Sequence, residues 1–333
     1  MTSVGLVLGA GGLAGYAYHA AALAVLQRMT GWDPRTAELI VGTSAGSNVG
    51  AILRGNVPVG EALDRILTVP TNPRSMARLR ELSGRVEANP TNGGFRLAPA
   101  APKLALRELS RGLFARPSRV GVGLIPAGRL GTEVIGDRAA ELHHGRWPDE
   151  TLWIPAVRLS DGERVVFGRD RLDVGVGTAS EASSAIPGFF RPVAIDGDRY
   201  IDGGVHSPTN ADLVVGKGFD LVVIVSPMSG DSLASIGRSI NGPLRAFCKE
   251  VLRREVRAIR NEGTDVLVVE PNLDEIRSMG PTLMDPTRVL NTVLQTSNAA
   301  RLALTDSGVD EQLDLLRLAA SEHPSPRDVS LPE

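Results

Sequence analysis

The sequence predicts an α/β protein with a mainly parallel sheet covered by helices. Three observations carry that prediction. Residues 1–55 read strand, glycine loop, helix, strand, sharp turn and helix, a βαβ start that favours parallel pairing. The stretch 221–225, Leu-Val-Val-Ile-Val, is a branched apolar run of the kind expected of a strand buried on both faces. The chain has 333 residues, 42% hydrophobic and 22% charged, enough for a sizeable core and too apolar for a mainly disordered chain.

Taken in order, residues 4–8 read as a buried strand, 9–15 as a tight loop and 16–29 as a helix. Residues 4–26 carry no charge and are long enough to span a bilayer. However, Gly5, Gly9, Gly11, Gly12 and Gly15 crowd the first half, and no basic region precedes it. A cleaved or anchoring segment is therefore the lesser reading. The second strand is 39–41, and a helix runs from near Ser44 toward Arg54. Residues 56–128 are punctuated by proline, rich in arginine and carry amphipathic pieces such as 102–113. They read as a cap or lid inserted over the core, the alternative being a poorly ordered surface excursion.

The α/β pattern resumes near 129. Residues 130–142 read as a helix. Residues 152–159 and 164–168 flank an Asp161-Gly162 hairpin signal. A short helix at 180–185 stops before Pro187, short strands follow at 193–195 and 199–201, and 266–269 is a further strand. Residues 243–261 form a long arginine-rich helix, and 283–315 are mostly helical. The expectation is a single domain over 1–320 with 56–128 as its insertion, then a tail over 321–333 whose prolines suggest fraying.

Charge excludes some functions. With 36 Lys+Arg against 38 Asp+Glu the net charge is -2, which lacks the basic field a general nucleic-acid binder needs. Cys248 is the only cysteine, so no intrachain disulfide can form and a cysteine metal site is not expected.

The sharpest motif is Gly42-Thr43-Ser44-Ala45-Gly46, a G-x-S-x-G directly after a strand. A serine on a strained strand-to-helix turn projects its hydroxyl outward, and small residues two positions either side let the turn close. An N-cap serine in a glycine-rich turn is the plainer alternative. A second device is Gly9-Ala10-Gly11-Gly12-Leu13-Ala14-Gly15, whose exposed N–H groups suit an oxyanion or a phosphate. Gly9, Gly11 and Ala14 also fit a dinucleotide fingerprint, with Asp33 near the place of a ribose-binding acid. Asp33 lies in an apparent loop rather than at a strand end, which weakens that alternative. The third motif is Asp202-Gly203-Gly204, an acid placed to point into a cleft. Asp-Gly-Gly is also ordinary turn chemistry.

Together these motifs resemble the patatin-like phospholipase family. That family carries a glycine-rich loop, then G-x-S-x-G, then D-G-G or D-G-A far downstream. The stretch 182–190, Ala-Ser-Ser-Ala-Ile-Pro-Gly-Phe-Phe, is similar to the family's A-S-x-A-x-P-x-x-F block. The resemblance covers 4–56 and 150–227 and implies a three-layer α/β/α fold. One departure is Ala14, where the family usually has Arg or Lys.

The resemblance further implies a lipid acyl-ester hydrolase of phospholipase A or lysophospholipase type, without a cofactor. Ser44 would be the nucleophile and Asp202 its base, with Gly11, Gly12 and Ala45 N–H groups forming the oxyanion hole. Gly9, Gly15, Gly42, Gly46, Gly203 and Gly204 would be motif glycines. Asp202 would need a raised pKa to act as a base. A non-catalytic lipid-binding relative is the other reading, motivated by Ala14. The expected setting is cytoplasmic, with peripheral membrane contact and lipid acyl esters as partners. Of the five histidines, His206 is a lesser candidate base, His19 a core or surface residue, His143 and His144 helix-end cations, and His323 a tail residue. Their spacing suggests no metal site.

Overall fold

A computed structural model describes residues 1–68, 128, 130–230, 242–305 and 307–329. Most of the expected cap, residues 69–127 with the amphipathic piece at 102–113, lies outside the described residues. The described strands are β1 (Val4–Leu8), β2 (Leu39–Gly42), β3 (Leu152–Arg158), β4 (Arg164–Phe167), β5 (Val193–Ile195), β6 (Asp198–Asp202), β7 (Leu221–Val225) and β8 (Asp265–Val269). The described helices of more than one turn are α1 (Gly12–Thr30), α2 (Ala45–Arg54), α3 (Val59–Thr68), α4 (Glu133–Leu142), α5 (Val176–Ser183), α6 (Gly242–Arg260), α7 (Leu273–Met279), α8 (Val289–Ala303) and α9 (Asp310–Glu322).

One sheet runs in the order β5-β6-β3-β2-β1-β7-β8, with β4 also paired to β3. The pairs from β3 through β2, β1 and β7 to β8 are parallel. The pairs of β3 with β4 and β6, and of β5 with β6, are antiparallel.

The three layers follow from the period of two along a strand. Leu6, Leu8, Ile40, Val223 and Val225 face one core cluster, which includes Leu23 and Leu26 of α1 and Leu316 of α9. Their neighbours Val7, Val41, Val222 and Ile224 face a second cluster, with Leu252 and Ile259 of α6. A strand with apolar residues on both faces must have both faces covered, so the uninterrupted run at 221–225 encodes a central strand.

Helix α1 begins at Gly12, four residues earlier than the glycine content suggests. It ends at Gly31, whose φ of 78° makes a left-handed cap with its N–H on Gln27 O. Helices α3 and α7 were not anticipated. The described part of the tail, to residue 329, makes contacts with the body of the chain. Asp328 pairs with Arg35 at 2.8 Å, and Val329 N donates to Asn56 O at 3.0 Å.

Candidate active site

The parallel register of β1 on β2 sets Leu8 beside Gly42, so the glycine loop and the serine turn leave neighbouring strand ends together. Thr43 N donates to Leu8 O at 2.9 Å. Ser44 has φ 54° and ψ −117°, a strained conformation for a residue with a side chain. It is also the residue from which α2 starts. The turn closes only because Gly42 and Gly46 lack side chains. A Cβ on Gly46 would lie 2.0 Å from Leu8 O, and one on Gly42 2.5 Å from Gly46 O.

The strain at Ser44 is held by several hydrogen bonds. Ser44 N donates to Ser183 Oγ at 3.0 Å, and Ser183 Oγ donates to Pro155 O at 2.7 Å. Ser44 O accepts from Ser47 Oγ at 2.6 Å and from Asn48 Nδ2 at 3.3 Å. Asn48 Nδ2 also reaches Ser184 Oγ at 3.3 Å. Ser183 and Ser184 belong to the block at 182–190, whose role sequence reasoning left unassigned.

Asp202 ends β6, opposite Ala156 of β3. Its carboxyl accepts from Gly204 N at 2.7 Å and lies beside the Ser44 side chain, close enough for the hydroxyl to lower its pKa. Gly203 packs against Pro155 O, where a Cβ would lie 2.2 Å away. Both side chains are buried, Ser44 at 3% and Asp202 at 5% exposure. Burial pushes the Asp202 carboxyl up to about 6, against the lowering effect of the nearby Ser44 hydroxyl and the Gly204 N–H bond. The raised value that the Ser–Asp reading needs is thus present.

The glycine loop lies against both groups. Gly9 N donates to Val225 O at 3.0 Å, and Gly15 N to Gly11 O at 2.8 Å. A Cβ on Gly15 would stand 3.7 Å from Ala45 Cβ, and one on Gly204 3.3 Å from Ala10 Cβ. The N-termini of α1 and α2 therefore meet beside Ser44. Among the described residues, the N–H groups of Gly11, Gly12 and Ala45 have no backbone acceptor. Two helix N-termini with free donors favour negative charge between them. Ala14 is buried and its N–H is already taken, by Leu283 O at 2.9 Å.

His19 is fully buried, and its Nε2 lies 2.7 Å from Gly9 O. A carbonyl can only accept, so Nε2 carries the hydrogen and ties α1 back to the start of the glycine loop. Nδ1 is buried with no partner among the described residues, and burial pulls the His19 pKa down to about 4. His19 is thus a neutral strut, a role its position in the sequence did not disclose.

His206 is exposed, with its N–H on Gly203 O at 3.0 Å, whereas Asp202 is buried beside Ser44. His143 is not the helix-end cation expected of it. Its Nε2 lies 2.8 Å from Ala51 O, and burial lowers its pKa. Asp33 is committed to Arg35, at 2.6 Å, rather than turned toward the glycine loop. Among the described residues, no three or more His, Cys, Asp and Glu side chains cluster as a possible metal site.

Residues 6–215 match the family described as patatin-like phospholipase. The chain belongs to that family. Two similar relatives are uncharacterized NTE family proteins of Mycobacterium bovis and Mycobacterium tuberculosis. Each is 30% identical over 227 residues, which are 67% of this chain. The chain spans about half (48%) of the length of each. Among solved structures, VipD from Legionella pneumophila aligns at 13% identity and TM-score 0.39, over 90% of this chain and 67% of that one. The type III effector ExoU of Pseudomonas aeruginosa aligns at 14% identity and TM-score 0.40, over 95% and 54%. The patatin-like motifs fall within the matched span, from the glycine loop to Asp202. Among the described residues, no helix is long and apolar enough to cross a membrane.

Proposed function

We propose that this patatin-like protein is a serine-dependent lipid acyl-ester hydrolase, of phospholipase A or lysophospholipase type. The observation that carries the reading is the strained Ser44 turn set beside a buried Asp202 whose pKa is raised to about 6. Such a carboxylate is ionised at neutral pH yet basic enough to share in proton transfer.

Ser44 Oγ attacks the acyl carbonyl carbon while its proton passes to Asp202. The carbonyl oxygen gains the negative charge and is held by Gly11, Gly12 and Ala45 N–H groups. Each such donor contributes about 3–4 kcal/mol in a well-formed hole. The C–O bond to the leaving alcohol breaks, and Asp202 returns the proton to that oxygen. Water then attacks the acyl-enzyme with Asp202 as base, which releases the fatty acid and restores Ser44. No step calls for a cofactor. The reading places the protein in the cytoplasm, meeting its lipid at a membrane surface as a peripheral protein. Residues 1–320 act in it as one hydrolase domain, with 56–128 as the cap and 321–333 as the tail.

The test is hydrolysis of p-nitrophenyl esters of graded chain length, and of phospholipid and lysophospholipid, by the purified protein. The reading predicts turnover on esters and fatty-acid release from lipid. Lipid binding without turnover on any of them would sink it in favour of a non-catalytic lipid binder.

A further inference from the structure

Glu255 lies on the buried face of α6, between Leu252 and Ile259. A carboxyl on an apolar stripe must find donors or leave buried acceptors unsatisfied. It finds them in one loop. Ser207 Oγ donates to Oε1 at 2.6 Å, Thr209 Oγ1 donates to Oε2, and Ala211 N donates to Oε2 at 3.2 Å. Ser207 Oγ already accepts from Asn210 N at 2.9 Å and Thr209 N at 3.3 Å. Both of its lone pairs are used, so its single hydrogen is directed at Glu255, which must accept.

The loop so clamped touches all three motifs of the site. Pro208 O accepts Ala10 N at 2.8 Å, one residue before the oxyanion glycines. Asn210 Nδ2 donates to Thr43 Oγ1 at 3.1 Å, one residue before Ser44. The same amide reaches Gly203 O at 3.4 Å, one residue after Asp202, and Ser207 O at 2.6 Å.

We propose that Glu255 is a positioning residue for this site: by clamping the loop 207–211 it holds the glycine loop, the Ser44 turn and Asp202 in one frame. The inference rests on the reading of Ser44 and Asp202 as the reacting pair. Glutamine cannot replace Glu255. With its oxygen toward Ser207, its amide N–H groups face the Ala211 N–H, donor against donor. Turned over, they face the Ser207 hydroxyl hydrogen instead.

The experiment compares wild type, Glu255→Gln, Thr209→Val and Leu252→Ala at a temperature where circular dichroism shows each folded. It reads kcat and KM on a short-chain ester, the rate of fluorophosphonate labelling of Ser44, and amide exchange at Ala10. Glu255→Gln is expected to lower kcat and labelling about tenfold or more with KM little changed, since small misplacements of reacting groups are costly. It also speeds exchange at Ala10. Thr209→Val, which removes one donor and keeps the backbone, gives a smaller loss of the same kind. Leu252→Ala, on the same helix face, lowers stability and leaves kcat unchanged. Should Glu255→Gln fail to fold, Thr209→Val with unchanged kcat and labelling overturns the proposal. So does unchanged kcat in folded Glu255→Gln, or an equal kcat loss in Leu252→Ala. A wild type with neither turnover nor label overturns the dyad reading itself and this inference with it, an outcome distinct from the others.

Discussion

Replacing Asp202 with Asn is expected to abolish turnover and to stabilise the folded protein above pH 6. The two effects share one cause. In the proposed mechanism Asp202 takes the Ser44 proton in a buried site, so its loss removes the base, a change of about 1,000- to 10,000-fold in kcat. The same burial raises its pKa from 3.8 to about 6, so the folded protein holds the carboxylate less well than the unfolded chain does. A carboxyl with a raised folded value contributes stability that is complete below about pH 4 and is lost as pH rises through about 6. The wild type therefore carries a penalty of the order of 3 kcal/mol at pH 8, which Asn does not. Denaturant melts of both proteins at pH 4 and pH 8 measure it. Asn should gain at pH 8 relative to its difference at pH 4. A variant with equal gains at both, or with wild-type activity, contradicts the account. In the wild type, kcat/KM should rise with pH through about 6 as Asp202 ionises.

Gly46→Ala carries the largest expected effect on the fold. The added methyl would sit 2.0 Å from Leu8 O and 2.5 Å from Leu8 C, atoms of a central strand. No side-chain rotation relieves that contact, so β1 or α2 must move. The cost is at least about 3 kcal/mol, at the upper end of overpacking. Soluble yield and thermal melting check it. A melting temperature within about 2 °C of wild type would show that the turn has slack the structure does not contain.

The two residues proposed as the reacting pair stand out in the sequence because each lies at or just past a strand end with glycine close behind, Gly46 after Ser44 and Gly203-Gly204 after Asp202. Ser44 follows β2 and Asp202 closes β6, so local pattern and place in the sheet agree. β1 and β7 were read with their observed bounds because they are unbroken apolar runs. The start of α1 was misplaced because glycine is a poor helix former. Its first turn is held from outside, by Leu283 O on Ala14 N. α7 does carry a local signal: Asn272 and Glu275 form a capping box.

The supporting residues were not legible, for a different reason. Ser183, Glu255 and the ion pair of Arg35 with Asp328 act across large sequence separations, and neither partner is unusual in its own stretch. His19 looked like any helical histidine, and only the return of the loop places Gly9 O on its ring. Sequence pattern marks residues whose own backbone is special. It does not mark ordinary residues that become special by proximity.

In the proposed mechanism Ser44 is a nucleophile driven by Asp202. The most direct measurement is fluorophosphonate labelling of the intact protein, with the modified residue located by mass spectrometry. One label is expected, on Ser44, absent from Ser44→Ala and formed far more slowly in Asp202→Asn. A label on another residue, or one on Ser44 whose rate is unchanged without Asp202, would contradict it.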